Sequence, residues 1–519
     1  MKRLALLLSA SAFLAGCPAL EGLPQSEVPR TGHEAAVVFP GGPAMESDSS
    51  DDTAVPESYK GLRTKPLDWA PRRISSYADT LAPGVVVYWV PDSSLPLASV
   101  EFLWPEGRLA LGPRDDAAAS MLGTLLRRGG TAALTPAQVD DTLEFLAAHV
   151  SVSVGMVRSS ASASGLSRDL PYLIGLLGDM LVEPRFDTAR LSTAVAERVQ
   201  DIEHRADTPA QTVSLASDRL SYGPSAWTRL SDSADFLALR RADLERARAG
   251  RFSPSKVWIS VAGRYEKAST RKQILSLLER LREGASRPAV ARLDSLAPIP
   301  SLPPRGTWIY DIPASQTQIR MGARFVRRDH PDYYPLVLAS EVLGQGFGSR
   351  LVDRVRSDEG LAYHVGSFVG SDYDRPAMLG VGLQTKSQST GRAVKLVMEE
   401  IARLRDSGFR AGELDRVRKS LRNGVPTLFD SPEATADLIL QSAAWGRRDD
   451  HFATYLRALD TIPDSTVLRV YRKWFVPDSL RIVVSGPAAQ LQQPFPDGSP
   501  ALTTYGPVHV WTLDSLTKE

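Results

Sequence analysis

Two side chains in the second half of the chain, Arg356 and Tyr363, have the chemistry needed to hold a peptide carbonyl group. A guanidinium fork and a phenol both donate hydrogen bonds, and such donors stabilise a carbonyl oxygen or the oxyanion that forms from it. The two residues are seven positions apart, with Gly360 between them. A turn at this glycine would bring both donors to one point in a cleft.

The segments on either side of Gly360 must position this pair. Leu351, Val352 and Val355 recur at helical spacing, which predicts a short amphipathic helix that ends near Arg356. The run from Ala362 to Val369 alternates and predicts a strand. A purely structural alternative is open, in which Arg356 pairs with Asp353 or Glu359 and Tyr363 packs in a sheet.

A family resemblance favours the functional interpretation. Ser349-Arg350-Leu351, followed by Arg356 and Gly360-Leu-Ala-Tyr363, resembles the C-terminal signature of the pitrilysin/insulinase/mitochondrial-processing-peptidase family of zinc metallopeptidases. In that family an Arg and a Tyr at this spacing reach a zinc site built by the other half of the molecule. The resemblance implies an α+β fold of two homologous α/β-sandwich domains, arranged as a clamshell.

The same resemblance implies a zinc motif, His-x-x-Glu-His, on the first helix of the N-terminal half. Here Ser120 and Thr124 stand at the histidine positions and Gly123 stands at the position of the general base. Asp201, 77 residues past Thr124, falls at the third-ligand position, with Glu203-His204 as an alternative register. Hydroxyl groups are poor zinc ligands. We therefore expect no cofactor in this chain and expect the zinc in a partner subunit.

The composition is that of a soluble globular protein of more than one domain. The chain has 519 residues, of which 43% are hydrophobic and 23% are charged. Its net charge of +1, from 61 basic and 60 acidic residues, gives no basis for nucleic-acid binding. The single cysteine, Cys17, excludes an intrachain disulfide and a cysteine zinc site.

The first 17 residues are typical of a targeting segment. Lys2 and Arg3 precede an apolar run that ends in Leu14-Ala-Gly-Cys17, which resembles a bacterial lipoprotein signal with Cys17 as the lipidated residue. An ordinary signal peptide is the alternative. We expect a lipoprotein anchored on the periplasmic face, at the outer membrane of a Gram-negative bacterium because Pro18 follows the cysteine. Residues 18–69, rich in Pro, Gly and acidic groups, predict a disordered tether.

An internal repeat divides the remainder of the chain. The segments Phe252–Gly263 and Phe475–Gly486 align without a gap and share Phe, Pro, Ile, Val and Gly at corresponding positions. A Pro-rich linker at 291–304 separates them. We therefore predict an N-terminal domain at 70–290 and a homologous C-terminal domain at 305–519.

Two functions fit these features. The first is a non-zinc-binding subunit of a heterodimeric metallopeptidase, which supplies Arg356, Tyr363 and half of the chamber for a peptide or unfolded-protein substrate. The second is a catalytically inactive peptide-binding or structural scaffold of the same fold. A stand-alone hydrolase is disfavoured because there is no Gly-x-Ser-x-Gly motif and no cysteine outside the targeting segment.

Overall fold

The computed structural model describes residues 69–109, 111–283, 299–346 and 348–517. The predicted targeting segment with Cys17, the tether as far as residue 68, and residues 291–298 of the predicted linker lie outside the described residues. Within the described ranges no helix is long and apolar enough to cross a membrane. Leu67–Glu519 forms one compact unit.

The part of this unit before the linker contains one six-stranded sheet, with strand order β1-β2-β6-β3-β5-β4. Its helices and strands are, in chain order, β1 (Ala78–Ala82), β2 (Val85–Pro91), β3 (Leu97–Trp104), α1 (Pro113–Arg128), α2 (Pro136–Phe145), β4 (His149–Val154), β5 (Ser159–Leu166), α3 (Leu170–Val182), α4 (Thr188–Glu203), α5 (Pro209–Tyr222), α6 (Ser233–Leu237), α7 (Arg241–Arg248), β6 (Val257–Gly263) and α8 (Lys267–Glu283).

The part after the linker contains a second six-stranded sheet, with strand order β12-β7-β11-β8-β10-β9. Its helices and strands are β7 (Thr307–Asp311), β8 (Gln316–Arg324), α9 (Tyr333–Gly344), β9 (Ala362–Val369), β10 (Met378–Lys386), α10 (Thr390–Ser407), α11 (Glu413–Gly424), α12 (Pro432–Ala444), α13 (His451–Thr461), α14 (Asp464–Trp474), β11 (Arg481–Gly486), α15 (Ala488–Leu491), β12 (Val508–Trp511) and α16 (Leu513–Thr517). We call the two sheets sheet 1 and sheet 2.

The local sequence explains how these elements form. Alternate residues of β3, namely Val100, Phe102 and Trp104, are buried in the core that α1 and α3 cover. The local sequence also starts α2: the Thr135 side chain accepts a hydrogen bond from the Gln138 backbone N–H, and a proline occupies the first helical position. The alternation of buried residues therefore determines the strand, and the capping residues determine where the helix begins.

The two sheets have the same topology over five strands. The shared strand orders are β2-β6-β3-β5-β4 in sheet 1 and β7-β11-β8-β10-β9 in sheet 2. In each order the first two strands are parallel to each other, and every later pair of neighbours is antiparallel. The sixth strand differs, because β1 pairs antiparallel with β2 whereas β12 pairs parallel with β7. The predicted α+β fold is confirmed, and the exact domain boundaries stay a prediction.

The sequence repeat falls on β6 and β11, which hold the same place in the two sheets. The structure also reveals a second repeat upstream. Thr208-Pro begins α5 and Ser431-Pro begins α12, and in both helices the hydroxyl accepts a hydrogen bond from a backbone amide of the first turn. Thr208 and Ser431 are separated by the same number of residues as Phe252 and Phe475. The alignment of the two halves therefore extends from the strands back to these helices without a net insertion or deletion.

These two helices are exchanged between the halves. Helix α5, from the first half, packs on β8, β11 and β7 of sheet 2, whereas α12, from the second half, packs on β6, β2 and β3 of sheet 1. The Thr212 hydroxyl of α5 hydrogen-bonds the buried Ser485 hydroxyl of β11. On the other side, Ile439 and Leu440 pack with Leu103 of β3. Each sheet is thus covered in part by a helix from the opposite half.

Two hairpin tips also meet at this junction. Arg158, in the β4–β5 hairpin, donates two hydrogen bonds to Asp374, in the β9–β10 hairpin, at 2.8 and 3.0 Å. The neighbouring Arg375 lies over the rings of Tyr222 and Trp227. A partly buried ion pair and a guanidinium stacked on two aromatic rings therefore join the two halves of the chain at these hairpin tips.

The exchange of α12 places two carboxyl groups together. Burial, the charge of Asp437 and a hydrogen bond with Asp437 raise the pKa of Glu101 on β3 to about 7. The free energy of unfolding falls as the pH rises from the ordinary glutamate pKa towards 7. In this range the unfolded chain releases the Glu101 proton, whereas the folded chain retains it. We expect Glu101→Gln to raise the melting temperature at pH 8 but not at pH 4.5, whereas the exposed Glu279→Gln should change neither. Equal effects of Glu101→Gln at both pH values would contradict this linkage.

Candidate functional site

Arg350 anchors the segment that carries the candidate pair. Its side chain is only 3% exposed and donates to both carboxylate oxygens of Glu413, at 2.9 and 2.6 Å, and to the Gly408 carbonyl at 2.8 Å. Glu400 lies 3.8 Å from the same guanidinium. Burial alone would raise the pKa of Glu413, but hydrogen bonds from Arg350 and the Arg410 backbone amide, with the charges of both arginines, together lower that pKa. The Ser349-Arg350-Leu351 part of the signature therefore has a structural role.

The predicted amphipathic helix is a single π-helical turn, Val352–Asp358. Such turns are rare and occur frequently at functional sites. Gly360 then adopts a left-handed conformation, with φ of 62°, and the Leu361 amide donates back to the Val355 carbonyl. The chain is thus reversed between Arg356 and Tyr363, as the glycine position predicts.

A β-bulge at the start of β9 exposes Tyr363. Ala362 pairs with Thr385 and Val365 pairs with Leu383, so Tyr363 and His364 both lie opposite Gln384. Bulges redirect side chains in this way, and Tyr363 is 85% exposed. The alternative in which Tyr363 packs in the sheet is therefore wrong. Regular alternation along this run does not predict the exposed His364, although two polar-tipped residues between Ala362 and Val365 are a signal for the bulge.

The turn and the bulge bring the predicted pair together. The Arg356 guanidinium carbon lies 5.6 Å from the centre of the Tyr363 ring, a cation–π distance. Glu359, which the structural alternative offered as a partner for Arg356, forms ion pairs with Arg354 and Arg392. A guanidinium and a phenol are therefore presented side by side, and their catalytic role stays a prediction.

The degenerate zinc position is closed by backbone packing. Helix α1 approaches β4 so closely that a Cβ atom on Gly123 would lie 2.4 Å from the Val152 carbonyl oxygen. No side chain fits there without movement of the helix or strand. The position of the family's general base is therefore occupied by a helix–strand contact.

The other family positions do not fit a zinc ion either. The Ser120 hydroxyl donates to the Ala117 carbonyl at 2.8 Å, and Thr124 is an exposed hydroxyl on the same helix. Asp201 is exposed on α4, 3.8 Å from Arg198, and His204 hydrogen-bonds Asp207. Across the part of the chain that the structure describes, no group of three or more His, Cys, Asp or Glu side chains is arranged to hold a metal ion.

Restoring the motif should fail. We expect the triple variant Ser120→His, Gly123→Glu, Thr124→His to take up no stoichiometric zinc and to melt well below the wild type, because the new side chain meets the Val152 carbonyl. Gly123→Ala alone should destabilise the protein by about 1–3 kcal/mol. The control Gly175→Ala, where nothing lies within 4 Å of the added Cβ, should stabilise helix α3 by about 0.5–1 kcal/mol. One tightly bound zinc per triple-variant chain, by elemental analysis, would overturn this account.

Comparison with known proteins finds relatives in the peptidase M16 family. Residues 238–421 match the family described as Peptidase M16 inactive domain. The "Non-peptidase homolog YmxG" of Helicobacter pylori is 38% identical over 86 residues, which are 16% of this chain and 19% of that protein. The "Probable mitochondrial-processing peptidase subunit beta" of Arabidopsis thaliana is 22% identical over 70% of this chain and 69% of that protein.

A solved structure shows the same fold. The crystal structure of a peptidase M16 inactive domain from Pseudomonas fluorescens superposes with a TM-score of 0.70 at 21% identity, over 79% of this chain and 97% of that chain. The resemblance to the pitrilysin/insulinase family that the sequence predicts is confirmed by these matches.

Proposed function

We propose that this chain, which carries an M16 inactive domain, is the non-zinc-binding subunit of a heterodimeric insulinase-type peptidase. Its partner would be a family member with an intact His-x-x-Glu-His motif, and the partner would supply the zinc. The substrate would be a peptide or an unfolded protein.

One observation carries this proposal: the π-helical turn and the β-bulge bring Arg356 and an 85% exposed Tyr363 side by side. The Tyr363 hydroxyl and the Arg356 guanidinium would both donate hydrogen bonds to the carbonyl oxygen of the scissile peptide. Donors fixed in advance at this oxygen stabilise the negative charge that develops on it. The backbone contact at Gly123 leaves no room for a general base at that position. It therefore supports the proposal that the zinc and the general base belong to a partner subunit.

The test is the turnover of the reconstituted complex when the Tyr363 hydroxyl is removed. A loss of turnover with the heterodimer intact is expected. Full activity would leave the scaffold function, in which the fold holds a peptide or another subunit and performs no chemistry.

We further propose that the protein is anchored at the periplasmic face of the outer membrane through a lipid on Cys17. The support is the Leu14-Ala-Gly-Cys17 sequence that follows the apolar run. Cys17→Ser should release the protein from membranes or leave an unprocessed precursor. Normal processing and membrane fractionation of Cys17→Ser would contradict the anchor.

A further inference from the structure

The turn that carries the candidate pair is not held by packing at its apex. Gly360 is exposed, and no atom of the described residues beyond its chain neighbours lies within 4 Å of the place of a Cβ on it. Arg356 and Tyr363, on either side of this apex, are exposed as well. Packing anchors the π-helical turn from its other side, where Leu351 and Val355 are buried in the core. The direction in which the pair points therefore depends on polar contacts near the apex.

Glu359, directly before Gly360, connects the apex to two arginines. One oxygen of its half-buried carboxylate lies 3.3 Å from Nη1 of Arg354 in the π-helical turn. The other oxygen accepts a hydrogen bond from Nη2 of Arg392 on α10. Hydrogen bonds and ion pairs between charged groups are strong and directional, so a carboxylate held by two guanidinium groups has little freedom to move. Glu359 thus joins the end of the π-helical turn to its start and to helix α10.

The contact with α10 is made at a well-anchored part of the fold. Arg392 is the third residue of α10, and its neighbours Thr390 and Ala393 are buried. The Thr390 hydroxyl forms a hydrogen bond with the Thr317 hydroxyl of β8 at 2.8 Å. The first turn of α10 is therefore fixed to sheet 2, and Arg392 holds Glu359 at a defined place.

A second contact holds the chain just after the apex. The buried Thr385 of β10 donates a hydrogen bond from its hydroxyl to the Leu361 carbonyl at 2.7 Å. Gly360 thus lies between two held neighbours, Glu359 and Leu361. Because a glycine backbone is conformationally free, these neighbours set the direction of the turn. The contact at Glu359 is the one that acts on the side of the apex where Arg356 lies.

We propose that Glu359 is a positioning residue for the proposed reaction: it holds the turn so that Arg356 and Tyr363 direct their donors at one point. This inference rests on the proposed function for the chemistry of the pair. Glu359 does not touch the substrate, because its carboxylate is occupied by Arg354 and Arg392. Without Glu359 both donors are still present, but they must be ordered during the reaction and then stabilise the transition state less.

The first test is the turnover of the reconstituted complex with Glu359→Ala. We expect kcat to fall by about 10–100-fold, as for other misplaced catalytic groups. KM should change little, because the pair acts in the transition state. Glu359→Gln, which keeps the shape and one acceptor oxygen, should lose less. Asp358→Ala is the control, since it removes the exposed carboxylate next to Glu359, and it should leave kcat unchanged.

Two further measurements separate positioning from general damage. The amides of Gly360 and Leu361 donate hydrogen bonds back into the π-helical turn. In the isolated full-length chain their hydrogen exchange should become about tenfold faster in Glu359→Ala, with the melting temperature nearly unchanged. In the complex, Glu359→Ala should cost less when it is added to Tyr363→Phe, because both substitutions act through the same pair.

The outcomes distinguish this inference from the proposed function. Unchanged hydrogen exchange in Glu359→Ala, full kcat in spite of faster exchange, or an equal loss with and without the Tyr363 hydroxyl would each overturn the positioning role. If Tyr363→Phe impairs turnover whereas Glu359→Ala does not, this inference alone fails. If Tyr363→Phe also retains full kcat, the proposed function fails and the positioning role fails with it.

Discussion

A complex of this chain with a zinc-bearing relative is expected to lose about 10²–10³ of its kcat when Tyr363 is replaced by Phe. The substitution removes one hydroxyl from a ring that is 85% exposed, so neither packing nor assembly should change. Arg356→Lys should also impair turnover, because lysine keeps the charge but loses the planar fork that directs two donors. The measurement is kcat after sedimentation confirms the heterodimer.

Two controls separate chemistry from general damage. Tyr172→Phe removes the hydroxyl of another exposed tyrosine, on α3, and Arg168→Lys changes an exposed arginine outside the candidate site. Both should leave kcat unchanged. If Tyr363→Phe and Arg356→Lys retain full activity as these controls do, the pair has no catalytic role and the scaffold function remains.

Arg350→Met is expected to destabilise the protein by about 3–5 kcal/mol, the largest loss that we predict for a single substitution. The guanidinium is the buried, hydrogen-bonded partner of Glu413, so its removal leaves that buried carboxylate without its main cation, whereas Glu400 keeps its ion pair with Arg403. The lowered pKa of Glu413 makes this contribution depend on pH. It is present above the ordinary glutamate pKa and is lost as the pH falls through the lower folded-state value.

Denaturant unfolding at neutral and acidic pH measures this effect. Arg354→Met is the control, because the half-buried Glu359 that pairs with Arg354 keeps a second partner, Arg392, so a smaller loss is expected. Adding Glu413→Gln to Arg350→Met should recover part of the loss, since it removes the charge that Arg350 no longer pairs. Equal midpoints for Arg350→Met and Arg354→Met would show that the buried network is not needed for stability.

The sequence predicted what depends on local pattern. The alternation of residue types located β9, and the spacing around Gly360 predicted the proximity of Arg356 and Tyr363. What it missed depends on long-range packing. The exposure of Tyr363 arises from a bulge against Gln384, which is fixed by pairing with β10. The closure at Gly123 depends on the Val152 carbonyl of another element. Similarly, Glu101 and Asp437 are more than three hundred positions apart and meet only because α12 crosses to sheet 1.

The exchange of α5 and α12 suggests how the gene arose. Two copies of a single-sheet ancestor that traded one helix would form a symmetric, domain-swapped dimer, a low-cost route to association. Fusion of those copies end to end would give a chain in which the helix of each half packs on the sheet of the other half. The sixth strands, β1 and β12, are the strands of the two sheets that do not follow this repeat. Neither half, made separately, would possess the helix that covers its own sheet.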